Sequence, residues 1–124
     1  MDSPEELGKR WRYVFKTLES VVRRQIVGAL LEAPDDRALS LPEAANMPEY
    51  RLDPEQLQAD LIHQHLPLMA EEGFIEWQRE PFSVRRGPNF EDVAAVLLAI
   101  DDYPEFPSHL IEGYHFFEQN LVDA

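Results

Sequence analysis

The residues most able to do chemistry in this 124-residue chain are four histidines, a scatter of carboxylates and two arginine pairs, Arg23-Arg24 and Arg85-Arg86. His63 and His65 are two apart on a helical segment, so they point to different faces and do not chelate one metal together. Asp60 and His63 have a suitable helical spacing, but two ligands make no site. His109 and His115 are six apart, with nothing to pair them. There is no cysteine, which excludes disulfides and thiolate metal centres. The five glycines form neither a GxGxxG nor a P-loop pattern. No nucleophile with a base and no carboxylate pair set for a cleft stands out. The chain therefore reads as no enzyme, with no metal and no cofactor. The arginine pairs remain. Arginine hydrogen-bonds phosphate, and it serves equally in ion pairs with neighbouring carboxylates.

The elements that position these residues are helices around one hairpin. Leu7, Trp11, Val14, Phe15 and Leu18 share one face of a helix over Pro4–Leu18. Ser20 can cap a second helix through Val22, Ile26, Ala29 and Leu30, which carries Arg23 and Arg24 outward. Ala33-Pro34-Asp35-Asp36 ends it. Ser40 as cap and Glu43 at the capping-box distance open a short helix with Leu41, Ala44 and Ala45 inward, closed by Asn46-Met47-Pro48. Asp53 caps a longer helix, with Pro54 at its first position and Glu55 near its positive end. Leu57, Leu61, His65 and Leu68 form its inward stripe, widened by Ile62, Leu66 and Met69. Pro67 removes one backbone bond, so a local kink is expected there.

Gly73 can take the left-handed conformation that ends a helix, and the β-formers Phe74, Ile75 and Trp77 follow at once. The expected strands cover 74–78 and 82–86, joined by Arg79-Glu80-Pro81. Gly87-Pro88 ends the hairpin. Asn89 then caps a helix from Phe90 to about Asp101, with Phe90, Val93, Leu97 and Ile100 in register. Ser108 is the expected cap of a last helix carrying Leu110, Ile111, Tyr114, Phe117 and Leu121.

A helix that turns directly into a short hairpin is the core of a winged helix-turn-helix. The run from His65-Leu66 through Met69 to Gly73-Phe74-Ile75 resembles the end of the recognition helix and the start of the wing in ArsR-like transcription regulators. His65-Leu66-Pro67 before the hairpin and Arg86-Gly87-Pro88 after it are similar to small haloarchaeal proteins of that kind. The resemblance covers roughly residues 20–100, with a flanking helix over 1–19 and an aromatic segment over 101–124. It implies a mainly α fold with a small β-hairpin, acting as a homodimer. It also implies a fourth helix in the major groove of double-stranded promoter DNA and a wing beside the backbone. Carried over by position, the DNA-facing helix residues are Gln58, Ala59, Asp60, His63 and Gln64. A glutamine amide pairs well with adenine. The wing offers Arg79, Arg85 and Arg86 to phosphates, and Arg51 can help from the linker. One departure stands out. This helix has no lysine or arginine and contains Glu55 and Asp60, whereas affinity usually comes from phosphate neutralisation. The alternative is a winged helix used for protein binding.

The formal charge of −13 comes from 24 acidic against 11 basic residues, of which only Lys9 and Lys16 are lysines. With 44% hydrophobic residues, this is how proteins from salt-accumulating halophiles look; the alternative is an ordinary acidic protein that avoids nucleic acid. A strongly charged surface keeps such a chain hydrated, and in molar salt the Debye length of ~3 Å screens its self-repulsion. No apolar run approaches the ~20 residues of a membrane span. The opening Met1-Asp2-Ser3-Pro4-Glu5-Glu6 is no secretory signal, so a cytoplasmic protein is expected. The aromatic flanks suggest a dimer contact made by Trp11, Phe15, Tyr114 and Phe117.

Overall fold

The structure is a computed structural model and describes residues 2–47 and 50–110. Helix α1 (Pro4–Leu18) starts at Ser3, whose hydroxyl accepts from the Glu6 amide. Helix α2 (Val21–Glu32) starts at Ser20, whose hydroxyl accepts from the Arg23 amide at 3.3 Å. The two helices are therefore separated by a true cap at Ser20 and do not run through.

Only part of the apolar stripe on α1 reaches the core. Val14 and Leu18 are buried, but Leu7, Trp11 and Phe15 stay 48%, 53% and 62% exposed. The Trp11 and Phe15 rings stack on each other at 5.6 Å instead. The stripe is wider than the edge that α1 turns to its neighbours.

Ser40 does not cap a helix. Leu39–Ser40 is a strand, β1, and the expected short helix shrinks to one 3-10 turn, Glu43–Ala45, with no side-chain cap. The reason is the edge of the hairpin. Strand β3 (Phe82–Arg86) would otherwise leave a row of backbone groups without strand partners. Leu39 pairs with Val84 and Ser40 with Ser83, and the Leu41 amide donates to the Phe82 carbonyl at 2.9 Å. On the other side of β3 runs β2 (Ile75–Arg79), so the sheet has the order β1-β3-β2 and is antiparallel throughout. Arg79 closes β2 opposite Phe82, leaving Glu80 and Pro81 as the turn.

The long helix expected after Asp53 is present with a change of pitch. α3 (Pro54–Asp60) is capped by Asp53, whose carboxylate accepts from the Gln56 amide at 3.1 Å. A π turn, Leu61–His65, follows, and α4 (Leu66–Glu71) completes the run. In the π turn the Leu66 amide donates to the Leu61 carbonyl. A regular helix would press the Pro67 ring against the carbonyl four residues earlier. The wider turn just ahead of Pro67 takes up that strain where a kink was expected.

The base of the hairpin is closed by two glycines. Gly73 has φ of 76°, which ends α4 and starts β2. The Gly87 amide donates to the Phe74 carbonyl at 3.0 Å, and the Asn89 amide to the Gly73 carbonyl at 2.8 Å. The Asn89 side chain does not cap α5 (Phe90–Asp102). Its amide donates to the Glu72 carbonyl at 2.8 Å and ties the start of α5 to the end of α4. Phe90, Val93 and Leu97 are buried as expected, with Ile100 half-buried. They join Ile26, Leu30, Leu61, Leu66, Met69 and Phe74 in one core, which Val14 and Leu18 of α1 also enter. The chain is mainly helical with a small three-stranded sheet. A 3-10 turn, Ser108–Leu110, is the last described element, and Tyr114 and Phe117 lie outside the described residues. No helix among the described residues is long and apolar enough to cross a membrane.

Gly87→Ala should lower the unfolding free energy by about 1–3 kcal/mol, as overpacking does. The new Cβ would meet the Gly73 carbonyl oxygen and lie 2.9 Å from the Ile75 nitrogen. Gly8→Ala, in open space on α1, should instead raise stability by up to about 1 kcal/mol. Urea unfolding measures both.

Candidate nucleic-acid interface

The helical run from Asp53 divides its residues cleanly. Leu57, Leu61, His65 and Leu66 are buried, while Gln58, Ala59, His63 and Gln64 are exposed. Asp60 is half-buried, and its carboxylate accepts from the Gln56 side-chain amide at 2.9 Å. Gln58 and Ile62 share a cleft with Arg79, Glu80 and Phe82 of the hairpin and with Leu41 and Pro42. The tertiary fold thus brings an exposed side-chain amide and the arginine at the hairpin tip to one place. Arg79 is exposed, and among the described residues no ion pair holds it.

The other two hairpin arginines are engaged by the chain itself. Arg86 does not reach outward, and its side chain is only 16% exposed. Its Nε and Nη2 donate to the Leu30 carbonyl at 3.3 and 2.9 Å, and Nη2 donates to the Ala33 carbonyl at 3.2 Å. Nη1 lies 3.0 Å from the Asp35 carboxylate, and the guanidinium sits 4.9 Å from the Phe90 ring centre. The last carbonyls of α2 have no intrahelical partners, and a cation there also meets the negative end of the helix dipole. Arg86 is therefore a cap for α2, turned inward where an outward wing residue was expected. Arg85 pairs with Glu76 at 3.1 Å across the strands, with both side chains more than half exposed. Such a pair is weak and can open.

Arg23 and Arg24, expected to point outward from α2, likewise turn inward to backbone carbonyls. Arg23 is 4% exposed. Its Nε donates to the Lys16 and Thr17 carbonyls at 3.1 and 3.2 Å, and Nη2 donates to the Lys16 carbonyl at 2.7 Å. Arg24 donates to the Leu18 carbonyl. Both satisfy the end of α1, which stops beside them. The remaining side-chain hydrogen bond of Arg23 runs to His65, with Nη1 to Nδ1 at 2.9 Å. A guanidinium only donates, so His65 accepts at Nδ1 and is neutral, with its proton on Nε2. Burial first, and the Arg23 charge second, push the His65 pKa below its ordinary 6.5, with Asp60 opposing. The cue in the sequence was position. An arginine three residues after a serine cap, directly after another helix, lies within reach of that helix's last carbonyls.

On the opposite side, Trp11, Ala95, Val96, Ala99, Ile100, Tyr103, Phe106 and Pro107 line an almost wholly apolar groove between α1 and α5. Trp11 and Phe15, expected at a dimer contact, are at the surface here; their expected companions Tyr114 and Phe117 are outside the described residues. Comparison with protein-family models, with curated proteins and with solved structures finds no match for this chain.

Arg86→Ala should destabilise the fold by about 1.5–3 kcal/mol, the scale of charged hydrogen bonds lost from part-buried carbonyls. Arg85→Ala should cost less than about 1 kcal/mol, because its ion pair is exposed. Denaturant midpoints separate the two.

Proposed function

We propose that this protein is a winged helix-turn-helix transcription regulator that meets duplex DNA with the α3–π-turn face and the hairpin tip. The observation that carries the reading is the shared cleft of Gln58 and Arg79. It sets a group suited to base edges beside a guanidinium suited to phosphate. His63 and Gln64 extend the same exposed face by one turn. The order of helices around one hairpin supports the same reading.

The contact set is smaller than the sequence suggested. Arg79 supplies the main phosphate contact, Arg85 joins when it leaves Glu76, and Arg86 takes no part. Glu55 and Glu80 are exposed nearby. Binding should therefore depend only weakly on salt, which suits a chain with a halophile's composition. The homodimer would form through α1 and α5, where Trp11, Phe15 and Tyr103 are exposed. A second reading, a winged helix that binds protein and not DNA, draws on that same apolar groove and on the engagement of Arg85 and Arg86.

Selection from a random duplex pool in molar KCl should enrich a palindromic site. Gln58→Ala should alter the preferred sequence. Arg79→Ala should weaken binding to all sequences alike and reduce the salt slope by about 0.9 per protomer. A pool that stays random would overturn the DNA reading in favour of protein binding. Phe15→Asp should give monomers by light scattering, and a dimeric variant would remove α1 from the interface.

A further inference from the structure

We propose that the Arg23–His65 contact is an acid-released latch, which holds the π turn against the α1–α2 corner while His65 is neutral and frees it when His65 takes a proton. The contact joins two buried side chains from separate parts of the chain at 2.9 Å. His65 is the last residue of the π turn, whose other members include His63 and Gln64. A π turn is a rare departure from the helix around it, and Pro67 donates no amide hydrogen just beyond it. Here a side-chain contact supplements the interrupted backbone ladder.

Protonation changes the contact from attraction to repulsion. Neutral His65 accepts at Nδ1, whereas the imidazolium donates from both nitrogens. Two donors and two positive charges would then face each other at 2.9 Å. The surroundings do not offset this. α1 presents the Lys16 and Thr17 carbonyls, which Arg23 already uses. α2 presents Arg23 itself. The link between α1 and α2 presents Glu19, 3.5 Å from Arg23 Nη2 and exposed. The helix's own Asp60 favours the proton but is outweighed by burial and by Arg23. Arginine keeps its charge throughout, so only the histidine changes state. A histidine held neutral in the fold contributes stability that is full above its unfolded value of 6.5 and falls as the pH drops below it. The latch acts whether or not the adjoining face meets DNA.

Amide hydrogen exchange on the full chain from pH 7.5 to 5, in molar KCl, tests this. Protection at residues 61–66 should fall by up to about tenfold per pH unit below 6.5. Protection at residues 93–97 of α5 should not change. His65→Gln keeps an acceptor for Arg23 but does not titrate, so its protection should stay flat. Where that variant does not fold, the wild-type ring signal decides, because its midpoint must lie below 6.5, at the acid end of the local loss. A wild type without pH response, a loss shared equally by α5, or the same response in His65→Gln would overturn the latch.

Discussion

A helix that ends inside a protein leaves carbonyls that must find donors, and this fold is arranged around meeting that demand with arginine. At the end of α1 the Lys16, Thr17 and Leu18 carbonyls are taken by Arg23 and Arg24. At the end of α2 the Leu30 and Ala33 carbonyls are taken by Arg86. Each cap reaches across the chain. Arg23 joins the α1–α2 corner to the π turn through His65. Arg86 joins the end of α2 to β3 and stacks on Phe90 at the start of α5. These side chains fix how the candidate helix and the hairpin sit on the rest of the molecule. Burying Arg23 lowers its pKa, with only the exposed Glu19 opposing, so the bonds to carbonyls and to His65 must offset the desolvation.

That use of arginine shapes the surface. The chain has 11 basic residues against 24 acidic ones, and several of the basic ones are held by its own backbone or carboxylates. Lys9 pairs with Glu72, and Arg10 is held between Asp2 and Asp92. What remains toward the cleft is chiefly Arg79. Recognition there would rest on amide and imidazole groups more than on charge. In molar salt the Debye length is about 3 Å, so a phosphate contact gains little at longer range and direct contacts dominate.

Much of the fold was legible because it is locally encoded. The Ser20 and Asp53 caps, the Gly73 stop, the hairpin and the α5 register each depend on residues within a few positions of one another. What was not legible depends on distant partners. Strand β1 exists because β3 offers an edge, which no residue near Ser40 reveals. Pro67 announced strain, but the sequence did not say that a π turn upstream would absorb it. Helix face and the resemblance both point these arginines outward, and the carbonyls that draw Arg23, Arg24 and Arg86 in are visible only in three dimensions. Of the candidate site, helical period exposed Gln58, His63 and Gln64. The neighbouring position of Arg79 followed only from the resemblance, and the inward turn of Arg86 followed from neither.

The central claim is that the α3–π-turn face and the hairpin tip, rather than the α1–α5 groove, meet nucleic acid. Titrating short palindromic duplexes into isotopically labelled protein in molar KCl, with amide shifts followed by NMR, tests it most directly. The expected result is a contiguous set of shifts at Gln58, Asp60, His63, Gln64 and Arg79, with α1 unchanged. Shifts confined to α1 and α5, or none at saturating duplex, would contradict it.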